Sequence, residues 1–256
     1  MTALLYPFFE KYADAVRRYD GDASAAELRM ASAGRVSVYY SPFDWINTSA
    51  RLVIVGITPG RQQAENALAE AKRALLAGEP PETVLRRAKN TAAFSGALRN
   101  NLVAMLDHIG LQRWLGVGSC EALFGASAHL VQTTSMLQFP VFVDDGKNYN
   151  GSPAPTEHPL LRGMLLEHFG ASVQHLGSAV FLPLGPVVTD ALAWLSAQGV
   201  LDPDRVLSGL PHPSGANAER IAYFLGRKSR ASLSAKTDPD KLDAARERVM
   251  KAVAAL

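Results

Sequence analysis

The part of the sequence best suited to chemistry is Pro211-His212-Pro213-Ser214-Gly215. Histidine is the side chain whose ordinary pKa lies near neutrality, and flanking prolines restrict the backbone, so the imidazole points in a fixed direction. A helical pattern begins directly after this segment, and the free N–H groups of a helix N-terminus suit phosphate. The segment therefore predicts an oriented histidine beside an anion-binding turn. The alternative, a packing or capping residue, is the commoner role for a lone histidine.

A second segment, Gly56-Ile57-Thr58-Pro59-Gly60, follows an apolar run. Its glycines allow close backbone approach or a positive φ, and its proline stiffens the turn and removes a competing N–H. Backbone N–H groups of such a turn can face an anion or a polar ring. The segment matches neither GxxxxGK[ST] nor GxGxxG. Taken alone, a plain structural turn is the alternative.

Short apolar runs and amphipathic stretches predict the elements that position these segments. Runs that are apolar on both faces are typical of a parallel sheet covered by helices. Such runs occupy 51–57, 129–134, 179–185 and 205–211. Helical patterns occupy 62–78, 95–110, 158–170 and 186–199, and a last helix begins at Thr237-Asp238-Pro239.

This alternation predicts an α/β fold, a three-layer α/β/α sandwich with a central, mostly parallel four-stranded sheet. We expect one domain over 1–256, with an N-terminal helical or lid region at about 1–50 and a C-terminal helix within 231–256. In such sheets ligands bind beyond the carboxyl ends of the strands. The segments 56–60 and 211–215 both fall in loops of that kind.

Composition narrows the class further. The 256 residues include 26 Lys and Arg against 24 Asp and Glu, a net charge of +2 that neither requires nor excludes nucleic acid. The single cysteine, Cys120, excludes a disulfide framework and a four-cysteine metal or iron–sulfur site within one chain. No stretch reaches the apolar length of a membrane span. We expect a soluble cytoplasmic protein.

Together the two segments resemble the signature motifs of the uracil-DNA glycosylase superfamily, in which a Gly-x-x-Pro-Gly-like loop leaves the first strand and a His-Pro-Ser loop leaves the last. GITPG at 56–60 and HPSG at 212–215 stand in that order, roughly 150 residues apart. The segment AAFSGALRNNLVAMLDHIG is similar to the family helix that a base-stacking phenylalanine precedes. FLPLGPVVTDAL is similar to the penultimate strand and its helix. The resemblance spans about 50–230.

The resemblance implies a role for each matching residue. His212 would stabilise the departing uracil, and Thr58 would orient the attacking water. The uracil pocket would be formed by Gly56, Ile57, Pro59, Gly60, Phe94, Thr134 and Ser135. DNA would be contacted by Arg61, Gln63, Pro213, Ser214, Gly215, Ala216, Asn217 and Arg220.

The chain also departs from the family pattern. Thr58 stands where many members have Asp or Asn, and a threonine hydroxyl is no general base at neutral pH. Thr134 and Ser135 occupy the region of the asparagine that reads the uracil edge. Ala216-Asn217 replaces the bulky residue that wedges into the duplex. The iron–sulfur cysteines are absent.

The predicted function is hydrolysis of the N-glycosidic bond of uracil in DNA, by a monomer that needs no metal or cofactor and that associates with the nucleoid while acting. The sugar develops oxocarbenium character while the base gains negative charge, so a fixed donor such as His212 is the useful group. Two alternatives stay open. One is a non-catalytic binder of DNA or abasic sites on the same fold, and the other is a hydrolase or transferase of a small nucleoside-like ligand.

Overall fold

The computed structural model describes residues 6–94, 96–144 and 146–256. The chain divides into two units, each assembled from three separate segments. Unit 1 comprises Met1–Ile46, Ile57–Ala93 and Thr134–Ser172. Unit 2 comprises Asn47–Gly56, Phe94–Thr133 and Val173–Leu256.

Helices account for most of the regular structure. The α-helices are α1 (Pro7–Arg18), α2 (Arg61–Leu76), α3 (Pro81–Ala92), α4 (Gly96–His108), α5 (Leu111–Leu115), α6 (Pro159–Met164), α7 (Ala171–Val173), α8 (Pro186–Ala197), α9 (Ala218–Phe224) and α10 (Pro239–Ala254). A π-helical stretch, Leu165–Gly170, joins α6 to α7. Short 3₁₀ helices lie at Ala26–Leu28, Cys120–Phe124, Ala128–Leu130, Pro203–Arg205, Gly215–Asn217 and Arg230–Ser232.

The strands form two sheets. They are β1 (Arg29–Ala33), β2 (Val36–Tyr39), β3 (Leu52–Gly56), β4 (Val131–Ser135), β5 (Val141–Val143), β6 (Lys147–Asn148) and β7 (Val180–Pro183). One sheet has the order β1-β2-β5-β6, with antiparallel neighbours. The other is a parallel sheet with the order β4-β3-β7. The α/β class predicted from the sequence is confirmed.

The antiparallel sheet of unit 1 was not predicted. Its first hairpin pairs Ala33 with Val36 across a two-residue connection in which Gly34 has a φ of +58°. The region expected at about 1–50 to be helical or a lid contains α1, but it also supplies β1 and β2. Tyr12 of α1 stacks on Tyr40, just past β2, with ring centroids 4.7 Å apart and planes 8° from parallel.

The parallel sheet lies at the centre of the unit 2 core. Leu52, Val53, Ile54 and Val55 of β3 are fully buried, and they pair in register with Val180–Pro183 of β7. Strands that are covered on both faces read as continuous apolar runs, which is why the sequence revealed them. The core is completed by buried side chains of α4, α5, α9 and α10.

The fourth predicted strand, 205–211, is not a regular strand. It lies beside β7 through two isolated parallel bridges, Phe181 with Val206 and Leu184 with Leu210. Between the bridges the Ser208 N–H turns back to the Val206 carbonyl, at 3.2 Å, and Gly209 has a φ of +146°. This kink interrupts the hydrogen-bond ladder, so the regular parallel sheet holds three strands.

Helix boundaries follow the capping signals with one exception. Gly110, predicted to end the helix at 95–110, has the expected left-handed φ of +87°. The Asp238 carboxylate caps α10 by accepting the Lys241 N–H at 3.2 Å, and Pro239 is the first helical residue, as predicted. The helix predicted at 158–170 is present, but it changes to π-helical geometry after Met164, and Gly170 does not end it because α7 continues to Val173.

Among the residues that the structure describes, no helix has both the length and the apolar character needed to cross a bilayer.

Replacement of Gly209 by alanine tests the kink. A Cβ there would overlap the Ala245 carbonyl oxygen of α10 and stand 3.0 Å from Val249 Cβ. Because backbone cannot move aside as a flexible side chain does, we expect Gly209→Ala to lower the free energy of unfolding measured by urea denaturation. The matched control is Gly199→Ala, which also has a positive φ (+73°) but an open surrounding. The loss at Gly209 should exceed the control loss by about 1–3 kcal/mol, the usual cost of overpacking. Equal losses would contradict the close approach of α10.

Candidate functional site

The histidine segment lies at the carboxyl edge of the parallel sheet. The Leu184 N–H donates to the Val55 carbonyl at 2.9 Å, and the Gly185 N–H donates to the Leu210 carbonyl at 3.1 Å. These bonds align the chain just past β7 with the end of β3 on one side and with Leu210 on the other. His212 follows Leu210 by two residues. It is thus placed where α/β sheets bind ligands.

One hydrogen bond sets the state of the His212 ring. The Ser214 backbone N–H donates to His212 Nδ1 at 3.2 Å. Because Nδ1 is the acceptor, the neutral ring carries its proton on Nε2. The side chain is half-buried, and burial lowers the pKa of His212 below its ordinary value of 6.5. The ring is therefore a neutral Nε2–H donor at neutral pH.

Packing on both sides holds the turn in place. Gly185 has a φ of +87°, and a Cβ on it would stand 3.1 Å from His212 Cβ, so any larger residue would be strained and would push against the histidine. Thr189 Oγ1 donates to the Gly185 carbonyl at 3.0 Å. On the other side Asn101 Nδ2, from α4, donates to the carbonyl of the buried Pro213 at 3.0 Å.

The residues predicted to contact DNA after His212 form one hydrogen-bonded turn. The Asn217 N–H donates to the Ser214 carbonyl at 2.9 Å, and Asn217 Nδ2 donates to Ser214 Oγ at 3.2 Å. Arg220 Nη1 donates to Asn217 Oδ1 at 2.7 Å. Gly215 and Ala216 are exposed at the tip of this turn. The structure therefore brings these predicted residues together with His212.

Phe94 stands on the rim of the unit 2 core. Its half-buried ring meets Phe124 edge to face, with centroids 6.5 Å apart and planes at 84°. Arg99 Nε donates to the Phe94 carbonyl, and the Arg99 guanidinium lies 4.9 Å from the Phe124 ring centroid. Phe94 thus has both a packed edge and an accessible portion.

The first segment is divided between the units. Gly56 ends β3 in unit 2, whereas Ile57 and the residues after it belong to unit 1. The Thr58 hydroxyl donates to the Phe139 carbonyl at 3.0 Å and accepts the Val141 N–H at 3.1 Å. Both bonds are to backbone, so the hydroxyl proton is already committed. A catalytic role of Thr58 stays a prediction.

Pro59 is buried, and the residues that follow it form the hydrogen bonds of a helix N-terminus. Gln63 Oε1 accepts the Gly60 N–H at 3.1 Å, and Gln63 Nε2 donates to the Ala92 carbonyl at 3.1 Å. The Arg61 N–H donates to Asn148 Oδ1 at 2.9 Å. Gln63, predicted to contact DNA, is therefore occupied in capping α2.

The Arg61 side chain is also engaged within unit 1. Its guanidinium donates to the Gly146 carbonyl at 3.0 Å, lies 3.4 Å from an Asp22 carboxylate oxygen and covers the Phe142 ring at 4.5 Å. These contacts fasten the hairpin of β5 and β6 to α2. The predicted phosphate contact of Arg61 stays a prediction.

Thr134 and Ser135 end β4 and are partly exposed. The Leu137 N–H, two residues further on, donates to the Ile57 carbonyl at 3.0 Å. The chain just past β4 therefore contacts Ile57, and the uracil-binding role of Thr134 and Ser135 stays a prediction.

Sequence reasoning missed Gly185 and Asn101, the two residues that position the histidine turn. Gly185 belongs to Leu-Gly-Pro, an ordinary sequence for the connection between a strand and a helix, and Asn101 lies inside a helical pattern. Neither pattern reveals a partner that is far away in sequence.

A buried polar group in unit 1 was also missed. Lys89 of α3 is 4% exposed, and its Nζ donates to the Trp45 carbonyl at 2.6 Å and to the Phe43 carbonyl at 3.4 Å. The Tyr40 hydroxyl donates to Asp44 Oδ2 at 2.8 Å. Burial lowers the pKa of Lys89 to about 7, against the opposing charge of Asp44, and burial raises the pKa of Asp44 to about 6. The signal that could have revealed this buried group is Lys89 itself, a charged residue on the otherwise apolar face of α3.

The fold and the site together define an α/β protein with an oriented histidine turn at the carboxyl edge of a parallel sheet. The chain is 40% identical over 204 residues to the uncharacterized protein YoxB of Bacillus subtilis (strain 168), a match that covers 78% of this chain and 79% of the relative. The chain belongs to the same family as YoxB. No protein-family model matches the chain, and no solved structure matches it.

The state of the His212 ring is open to test by replacing Ser214. Ser214 has a φ of −67°, which proline adopts without strain, so Ser214→Pro removes only the N–H donor and the hydroxyl. We expect this change to raise the pKa of His212 and to weaken the Nε2–H tautomer, because a bond that favours the neutral ring is lost. Ser214→Ala, which keeps the N–H, is the matched control. ¹⁵N NMR titration of the ring measures both quantities, and identical titrations of the two variants would contradict the assignment.

Lys89 gives the stability of the protein a specific pH dependence. Between its pKa of about 7 in the folded chain and its ordinary 10.5, the unfolded chain binds a proton that the folded chain lacks. The free energy of unfolding therefore rises with pH in this window, by at most about 1.4 kcal/mol per pH unit. We expect the difference between wild type and Lys89→Met, measured by urea denaturation at pH 7.5 and 9.5, to shift in favour of wild type at the higher pH. A difference that does not change with pH would overturn the lowered pKa.

Proposed function

We propose that the protein is a monofunctional uracil-DNA glycosylase, a divergent member of the uracil-DNA glycosylase superfamily, which hydrolyses the N-glycosidic bond of uracil in DNA. The observation that carries the proposal is the His212 ring, held as a neutral Nε2–H donor at the carboxyl edge of the sheet. The proposal includes the superfamily's three-layer sandwich, with the kinked segment 205–211 as its irregular fourth strand.

The chemistry of the leaving group explains why a neutral donor suits the reaction. As the glycosidic bond breaks, the base takes the bonding electrons and negative charge collects on its oxygens. An Nε2–H aimed at such an oxygen stabilises this charge without transferring a proton. One preorganised donor of this kind is typically worth about 2.7–4 kcal/mol. The lowered pKa supports this role, because burial favours the neutral ring.

The scissile bond cannot be reached inside a duplex, so the uracil nucleotide must leave the stack. The partly accessible ring of Phe94 offers a surface for the flipped base, a contact worth about 1–3 kcal/mol. The exposed tip at Gly215 and Ala216 offers backbone N–H groups to a phosphate next to it. The partner is therefore DNA containing uracil, and the reaction needs no metal or cofactor.

One observation favours a second candidate, a non-catalytic binder of DNA or of abasic sites. The Thr58 hydroxyl, in the place where many superfamily members have Asp or Asn, is bonded twice to backbone and is not a base. A binder needs no group that activates water. We favour the enzyme, because an oriented imidazole donor has little use in passive binding.

Release of free uracil from a labelled uracil-containing oligonucleotide tests the proposal. We expect wild type to release uracil and His212→Ala to be slower by about 10²–10³-fold in single-turnover assays, the usual cost of one oxyanion donor. His129→Ala, an exposed histidine on a separate 3₁₀ helix of unit 2, is the control and should match wild type. Circular dichroism establishes that each variant is folded.

Two results would count against the proposal. Full activity of His212→Ala would remove the histidine from the mechanism. Tight binding of uracil-containing or abasic DNA by the wild type, with no release of base, would favour the binder.

A further inference from the structure

A groove of about 490 Å³ in unit 2 begins at His212 and extends to α10. We call it the α10 groove. Its walls are the start of α8 at Gly185 and Pro186, the segment 208–212, and the face of α10 that carries Lys241, Ala245 and Arg248. Because His212 lines one end, the groove is continuous with the site described above.

The lining of the α10 groove is positively charged. Four cationic side chains contribute to it, against two carboxylates. The cations are Arg220, Lys236, Lys241 and Arg248, and the carboxylates are Asp190 and Asp238. Asp238 is occupied as the N-cap of α10, and its pairing with Lys241 is loose, at 3.5 Å, and exposed.

The other three cations have no carboxylate partner among the described residues, and Arg220 instead donates to Asn217 Oδ1 and to the Lys236 carbonyl. Within the described residues, neither Lys236 Nζ nor the Arg248 guanidinium makes an ion pair, and both side chains are exposed. Their charge is therefore available to an anion in the groove.

Three neighbouring basic residues outside the groove are neutralised instead. Lys228 pairs with Glu219 at 2.8 Å, and Arg230 pairs with Asp240 at 2.5 Å. Arg246, on α10 itself, pairs with Asp243 at 2.9 Å. The sequence predicts phosphate contacts from a basic cluster of Arg220, Arg227, Lys228 and Arg230, of which Arg220 lines the groove. Pairing therefore reduces the positive charge next to the groove, while Lys236 and Arg248 in its lining stay unpaired among the described residues.

The position of Lys236 is fixed by its backbone surroundings. Arg220 Nη2 donates to the Lys236 carbonyl at 3.2 Å. Next to it, the Glu219 carboxylate accepts from Thr237 Oγ1 at 2.5 Å and from Ser234 Oγ at 2.6 Å. Hydrogen bonds from Lys228 and from these hydroxyls hold the pKa of Glu219 well below its ordinary range, so the carboxylate stays charged. The segment that carries Lys236 is thus tied to the helix that follows the histidine turn.

We propose that the α10 groove binds the phosphodiester backbone of the DNA strand that passes the His212 turn, with Lys236 and Arg248 neutralising its phosphates. This inference rests on the proposed function, since it takes DNA as the partner. Charge complementarity and continuity with the histidine site carry it. Phosphates are the anions that a DNA strand supplies in series along such a path.

The salt dependence of DNA binding tests the groove. Fluorescence anisotropy with a labelled, uracil-free duplex measures the binding constant between about 50 and 200 mM salt. The slope of its logarithm against the logarithm of the salt concentration is the quantity compared. We expect Lys236→Gln and Arg248→Gln each to reduce the magnitude of this slope by about 0.9 and the double variant by about twice that. Lys251→Gln, also on α10 but outside the groove lining, is the matched control and should keep the slope.

The outcomes separate this inference from the proposed function. If wild type releases uracil but the groove variants keep the wild-type slope, the groove inference is overturned and the proposed function stands. If the slopes fall as expected while wild type releases no uracil, the groove inference is supported and the glycosylase is not. Absence of DNA binding by wild type at about 50 mM salt would overturn both.

Discussion

The hydrogen bond from the Ser214 backbone to His212 Nδ1 is the interaction on which the proposed chemistry of this protein depends. It determines which ring nitrogen carries the proton, and it does so with a backbone group whose position the flanking prolines fix. The bond would be of little use if the turn could drift. Gly185, which leaves room for the His212 Cβ, and Asn101, which donates to the Pro213 carbonyl, oppose that drift; Gly185 is the N-cap of α8, and Asn101 lies in α4. The rigidity of the core is thereby transmitted to a single N–H donor.

Around α9 and α10, several basic side chains are paired with carboxylates, and a few are left unpaired among the described residues. Glu219, Asp240 and Asp243 neutralise basic side chains around α9 and α10. Exposed ion pairs of this kind contribute little to stability, about 0–1 kcal/mol each. Their effect is one of placement: they hold the loop between α9 and α10 in shape and neutralise cations next to the groove that begins at the histidine.

The sequence predicted those features whose causes are local. The buried runs of β3 and β7 are apolar on both faces, and the capping signals at Gly110 and Asp238 act within a few residues, so both kinds of element were found. The kink at Gly209 could not be found, because it arises from the approach of α10, some 36 residues later in the chain. The antiparallel sheet was missed because β1 has no apolar run and β5 is three residues long.

The candidate site divides in the same way. The identity of His212 and the stiffness of its turn could be predicted from the two prolines. Its tautomer could not, because that depends on where the Ser214 N–H points. The internal hydrogen bonds of Thr58, Arg61 and Gln63 could not be predicted either, because each partner is a backbone group or side chain that only folding brings near.

The interleaving of the two units affects how the chain acquires its structure. Each unit draws on three separated segments, and unit 2 takes its last one from the C-terminal third, where α10 buries Val249 and Val253 in the core. During synthesis, β3 therefore waits for partners that emerge from the ribosome much later. Non-local contacts of this kind slow folding and leave apolar strands uncovered in the meantime. For the same reason a single cut in the gene cannot leave both units intact: a cut after Ser172 keeps unit 1 whole but removes the last segment of unit 2, and a cut before Asn47 keeps unit 2 whole but removes the first segment of unit 1.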